Sequence, residues 1–137
     1  MAYWLVKSEP STYSWDQLVK DKRTFWSGVR NFQASANLKA MKNGDLTFFY
    51  HSGEGKEIVG IAKIVKEYYP DHTDKTGKFG MVDLEAVKPL KTPVTLVAVK
   101  AEPKFKDLAL VRSSRLSVQP VSDAHWAALL KMGQTAA

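Results

Sequence analysis

The chain has no cysteine, which removes disulfide staples, thiol nucleophiles and thiolate-held zinc or iron–sulfur centres together. Long apolar runs are missing too. The longest, Leu108 to Val111 and Val94 to Val99, fall far short of the roughly 20 residues a membrane helix needs. The opening Tyr3-Trp4-Leu5-Val6 meets Lys7 and Pro10 too soon for a signal-peptide core. Internal repeats, GxSxG and HExxH are absent, and His51, His72 and His125 are widely dispersed. Gly53-Glu54-Gly55-Lys56 lacks the Gly at 50 and the Ser or Thr at 57 that a phosphate loop requires. No catalytic residue, cofactor, metal or membrane contact is therefore expected. The compartment reads as reducing, and a cytoplasmic, soluble protein is the default expectation.

What is present suits one globular domain. The 137 residues are 45% hydrophobic, 11% aromatic and 25% charged, enough to close a single core. Residues 1–132 are read as that domain and 133–137 as a flexible, frayed tail. The net charge is +6, which favours an anionic partner. Residues 1–45 carry seven Lys/Arg against four acids and residues 91–137 seven against three, while the middle carries six against seven. The surplus belongs to the two ends of the chain.

Local patterns give about six strands and three or four short helices. Tyr3 to Lys7 is aromatic and β-branched and reads as a strand that Pro10 ends. Ser14 is a helix cap, with Gln17 completing a capping box and Leu18 and Val19 as anchors. Phe25 to Asn31 reads as a loop. Asn31 caps a helix over Phe32 to Lys42, in which Ala34, Leu38 and Met41 share a face and Asn43-Gly44 is the stop. Asp45 to Tyr50 and Ile58 to Tyr69 read as strands, with a tight turn over 51–55 between them. Pro70 to Lys78 is a surface connection, and Asp71 and Asp74 are read as solvated loop acids. Further strands are expected over Phe79 to Val87 and Val94 to Lys100, then a helical turn within Pro103 to Leu110. Alternation returns over Arg115 to Pro120, and a last helix is capped at Ser122 or Asp123. Sequential strands without long crossovers favour a mixed or antiparallel sheet, curled into an open barrel.

Aromatic residues are plentiful, with four Trp, six Phe and five Tyr. Trp15 and Trp126 fall on or beside apolar stripes and are expected in the core. Trp26 is different, because it sits beside Ser27-Gly28 in the expected loop. It is either a core plug or a platform on which a planar ligand stacks, and the sequence leaves both open.

Several segments resemble the EVE domain family. They are Tyr3-Trp4-Leu5-Val6-Lys7-Ser8-Glu9-Pro10, then Trp26-Ser27-Gly28-Val29-Arg30-Asn31-Phe32-Gln33-Ala34, and Phe49-Tyr50-His51-Ser52. Tyr69-Pro70-Asp71, Val82-Asp83 and Arg115-Leu116-Ser117-Val118-Gln119-Pro120-Val121 follow in order. The family is PUA-like and related to YTH domains. The resemblance implies an α/β (α+β) fold, a PUA-like pseudo-barrel of mixed, mostly antiparallel strands with short peripheral helices. It also implies a non-catalytic nucleic-acid reader with a pocket for a modified base, modified cytosine in DNA being the leading substrate.

Carried onto this chain, the resemblance makes Trp26, Ser8, Ser27, Gly28, Asn31, Tyr50, His51, Ser52 and Phe79 the base pocket. Lys7, Arg30, Arg112 and Arg115 are the phosphate contacts. Ser35-Ala36 and Phe79 depart from the family's usual Arg-Asn and Trp. Two other functions compete: a general RNA-binding domain for tRNA or ribosomal RNA, and a small base-processing hydrolase using His51 with Ser8 or Ser52.

Overall fold

The computed structural model describes residues 1–53 and 55–136, so Glu54 in the expected 51–55 turn and Ala137 at the end of the expected tail lie outside it. The chain runs β1 (Tyr3–Ser8), α1 (Trp15–Asp21), β2 (Arg23–Phe25), α2 (Phe32–Ala40), β3 (Leu46–His51), β4 (Glu57–Pro70) and β5 (Gly80–Thr95). It continues with α3 (Leu96–Lys100), a 3-10 turn (Pro103–Phe105), α4 (Ala109–Arg112), β6 (Val118–Val121) and α5 (Asp123–Met132). Among the described residues no helix is long and apolar enough to cross a membrane.

Helix starts follow their caps. The Ser14 hydroxyl accepts from the Gln17 N–H and Asn31 Oδ1 from the Ala34 N–H, while Thr95 and Ser122 cap α3 and α5 in the same way. The capping box at α1 is only half made, because the Gln17 amide turns forward to Asp21 instead of back to Ser14.

One sheet carries all six strands in the order β2-β5-β4-β3-β1-β6. Only β1 and β3 run parallel; the other neighbours are antiparallel. The sheet is open, which corrects the expected pseudo-barrel: β2 and β6 are its free edges and do not pair with each other. Helix α2 packs on β4, β5 and β6. Register shifts within the β4–β5 pair supply the curl without closing it.

The central strands are buried on both faces, so β1 and β3 are nearly continuously apolar. Trp4, Val6 and Phe49 face a core shared with α1 and α2. Leu5, Phe48 and Tyr50 face a second core shared with α3 to α5. Trp15 and Trp126 are buried, as expected, one in each core.

Two expectations about local elements are corrected. Phe25 ends a short edge strand instead of opening a loop. Val94 to Lys100 is not a strand, because β5 continues to Thr95 and the Thr95 hydroxyl then caps a helix over Leu96–Lys100. Within the segment expected as a tail, residues 133–135 meet the end of β5, where Thr92 N–H donates to the Gly133 carbonyl at 3.1 Å and Lys91 N–H to the Thr135 hydroxyl at 2.8 Å.

Gly60 in β4 lies directly beneath the Trp15 ring, where a Cβ would come within 2.5 to 2.6 Å of three ring atoms. Gly60→Ala is expected to lower unfolding stability by about 1–3 kcal/mol through overpacking. Urea titration reads this directly, and an unchanged midpoint would mean that the Trp15 ring moves aside freely.

Candidate nucleic-acid interface

A cavity of about 670 Å³ opens on the α1/α2 face, between the end of β1, the two flanks of α1 and the 26–31 segment. Trp26 forms part of its wall although only 8% of the residue is exposed. The ring meets Phe49 edge-on at 5.6 Å and Tyr13 at 6.3 Å, and its backbone N–H donates to the Val82 carbonyl at 2.7 Å. Both sequence readings of Trp26 are compatible with this placement. It plugs the core with most of its surface and lines the cavity with the remainder.

Polar groups around the cavity have partly spent their hydrogen-bonding capacity. Ser8 donates its hydroxyl proton to the Tyr13 carbonyl at 2.7 Å and keeps lone pairs for accepting. Asn31 commits Oδ1 to the α2 cap at 2.9 Å, which leaves its amide NH₂ as the free end. Tyr13 donates its phenol to Asp21 at 2.8 Å. Burial and then that carboxylate push the phenol up to about 12, so it remains a neutral donor.

The far wall is held from behind by Asp71, whose side chain is fully buried. This corrects its reading as a solvated loop acid. One carboxylate oxygen accepts the Gly28 N–H at 2.8 Å and the Arg30 guanidinium at 3.1 Å. The other accepts the Thr73 N–H and hydroxyl at 2.7 and 2.6 Å. Burial alone would raise this carboxyl; the bonds from Thr73, Gly28 and Arg30 outweigh it and hold the group at about 2. Gly28 meets Asp71 at φ +86°, a conformation that glycine adopts without strain.

Seven of the residues singled out in the sequence therefore share this cavity: Lys7, Ser8, Trp26, Ser27, Gly28, Arg30 and Asn31. The remaining six lie outside its lining. Tyr50 and Ser52 border a smaller hollow of about 170 Å³ that meets the main one at Lys7. The Lys7 ammonium donates to the Ser114 carbonyl at 2.9 Å and lies 5.8 Å from the Tyr50 ring centre; its burial lowers the amine's pKa. His51 Nε2 accepts the Trp15 N–H at 3.0 Å, at the start of α1. Burial lowers the pKa of His51 against the opposing charges of Glu57 and Asp16.

Phe79 packs on Phe32 and lies 5.6 Å from the Arg30 guanidinium. Arg112 and Arg115 line a shallow hollow of about 340 Å³ with Asn31 and Gln33, next to the cavity but distinct from it. Ser35, the departure from the family pattern, is buried with its hydroxyl 3.1 Å from the Tyr68 hydroxyl. Among the described residues no group of three or more His, Asp or Glu is placed to hold a metal ion.

Sequence reasoning missed Thr12, Tyr13, Asp21, Thr24, Phe25, Val29 and Ser117 in the lining. Tyr13 had one usable signal, since an aromatic directly before a helix cap is a staple position. Asp21 and Thr24 had none, because only the fold brings them to the cavity.

The depressed Asp71 pKa makes a signed prediction. A carboxyl lowered in the folded state contributes stability that is present above about pH 4 and lost as pH falls toward 2. The contribution is on the order of 2 kcal/mol. Asp71→Asn should be less stable at pH 7 by about that amount, and its melting temperature should fall less steeply between pH 5 and pH 2. Parallel acid limbs for the two proteins would refute this role.

Comparison with known proteins agrees with the geometry. Residues 2–132 match the EVE domain. Thymocyte nuclear protein 1 of Gallus gallus is 35% identical over 95% of this chain and 68% of its own length. A solution structure from Rhodopseudomonas palustris is 60% identical, covering 98% of this chain and 94% of that one, with a TM-score of 0.93. The human THYN1 protein, solved in complex with 5-methylcytosine containing DNA, is 31% identical over the full length of both chains, with a TM-score of 0.92. A YTH domain from Zygosaccharomyces rouxii, at 17% identity and TM-score 0.62, shares the fold alone.

The cytoplasmic expectation is overturned by the same comparison, since the vertebrate relatives are named as nuclear proteins. Nucleus and cytosol are both reducing, so a lack of cysteine could not separate them. On the match of nearly its whole length, this chain belongs to the EVE domain family.

Proposed function

We propose that this domain is a non-catalytic reader of 5-methylcytosine in DNA, taking the modified base into the Trp26 cavity. The observation that carries the proposal is the cavity itself: an indole borders a space of about 670 Å³, within the usual range for small-ligand sites. The human relative that covers the whole chain was solved with 5-methylcytosine containing DNA, which supports the same ligand class. A base stacked on an aromatic face gains about 1–3 kcal/mol, enough to offset much of its extraction from a strand.

Selectivity then comes from the base edge. Cytosine offers an amino donor beside two acceptors. The lone pairs of Ser8 and the free amide NH₂ of Asn31 form a complementary acceptor and donor. The methyl group adds roughly 1 kcal/mol if it is buried against apolar surface, a fivefold preference. Arg112 and Arg115 supply phosphate attraction that weakens with salt. Arg30 is held by Asp71 and Thr73, so its main part is to fix the wall.

The hydrolase reading is disfavoured by specific bonds. His51 Nε2 already accepts the Trp15 N–H, and the Ser8 proton already goes to the Tyr13 carbonyl. Neither Ser8 nor Ser52 hydrogen-bonds to His51 among the described residues, so the nucleophile–base bond that such chemistry requires is not made.

Fluorescence anisotropy with labelled oligonucleotides tests the proposal. 5-Methylcytosine DNA should bind about fivefold tighter than unmodified DNA. Trp26→Phe should weaken binding of the modified strand about tenfold while keeping the fold. Trp26→Ala, by contrast, should also lower stability by about 3–5 kcal/mol because the ring plugs the core. Equal affinity for modified and unmodified strands, unchanged in Trp26→Phe, would sink the base-reading claim.

A further inference from the structure

We propose that Phe32 is an apolar wedge that enters a DNA duplex at the gap left when a base is drawn into the Trp26 cavity. The inference rests on the base-reading proposal and adds a separate part of the machinery to it.

Phe32 is the first residue of α2 and is 72% exposed. The helix buries Ala34, Ser35 and Leu38 against the sheet and does not use Phe32 for that contact. A phenyl ring in water forgoes its burial energy and recovers it only when something covers it. The ring is also braced. It packs on Phe79 at 5.1 Å with a tilt of 31°, and Phe79 lies 5.6 Å from the Arg30 guanidinium, which Asp71 holds. The same buried carboxylate that fixes the cavity wall thus fixes the support of the exposed ring.

Its position gives the ring a specific occupant. Arg30 and Asn31, directly before it, line the aromatic cavity. Asn31 and Gln33, on either side of it, line the hollow bordered by Arg112 and Arg115. A rigid apolar tip between a base-sized cavity and a cationic surface fits the stacked interior of a duplex whose phosphates the cations approach. Inserted apolar side chains of this kind hold unstacked base steps apart. A base that leaves the stack exposes the faces of its neighbours, and a phenyl ring covers them at little conformational cost.

The test compares the native chain, Phe32→Ala and Phe32→Tyr on two ligands, by anisotropy. One is a duplex with a central 5-methylcytosine, and the other is the same modified strand alone. A wedge is needed only where a partner strand must be held open. Phe32→Ala should therefore weaken duplex binding about tenfold and single-strand binding less than about twofold, with Phe32→Tyr close to native. Unchanged single-strand affinity also shows that the variant is folded and its cavity intact. Equal losses on both ligands would assign the ring to cavity shape or general stacking and overturn the wedge. So would no loss on either, which would leave the ring free for a protein partner. A native chain that binds neither form of modified DNA would remove the base-reading proposal itself, whereas native binding that is insensitive to Phe32→Ala removes the wedge alone.

Discussion

Asp71, in the β4–β5 connection, fixes one wall of the cavity: its carboxylate accepts hydrogen bonds from Gly28 and Arg30 of the 26–31 segment and two more from Thr73 of its own loop. A buried carboxylate with these partners is a strong cross-brace; the same group with one partner removed becomes an uncompensated charge in a dry site. Gly28, Arg30 and Thr73 are therefore constrained together. While Trp26 is held separately by its bond to Val82, the left-handed turn at Gly28 and the Arg30 guanidinium beside Phe79 meet at this one anchoring point. Two segments more than 40 residues apart in sequence are held in one geometry by it.

The brace also reassigns charge. Of the +6 surplus, Arg30 is neutralised locally by Asp71, and Lys7 is half-buried with its ammonium on a carbonyl. In the hollow beside the cavity, Arg112 lies 3.8 Å from the Asp107 carboxylate, whereas Arg115 has no acidic partner among the described residues. Net charge indicated an anionic partner, but the distribution of partners decides which cations remain available to it.

Local chemistry was legible in the sequence where the signal is local. The caps at Ser14 and Asn31, the buried face of Ala34, Leu38 and Met41, and the dense apolar runs of β1 and β3 all depend on neighbours within a turn or a strand. Long-range features were not. Asp71 looked like any acid in a turn-rich stretch, because its partners Gly28 and Arg30 lie 43 and 41 residues away. Leu96 to Lys100 has the composition of a strand, and only the Thr95 cap and the end of pairing with β4 make it a helix. Whether the edge strands β2 and β6 pair with each other is a long-range matter that no strand pattern encodes. Of the site, the 26–31 segment and its two strand neighbours were readable, whereas Tyr13 and Asp21 reach the cavity only through the fold.

The alternation of Phe48 and Phe49 across β3 has an optical consequence. Phe49 meets Trp15 and Trp26 edge-on in one core, while Phe48 stacks at 4.0 Å on Trp126 in the other, with Tyr3 on that indole's other neighbour contact at 4.4 Å. The sheet therefore sorts the four indoles into three on the cavity side and one behind it. Trp126 packs on the opposite side of the sheet from Trp26, so a ligand in the cavity would meet Trp26 without touching that indole. A ligand stacked in the cavity would therefore act directly on the emission of Trp26 and not on that of Trp126.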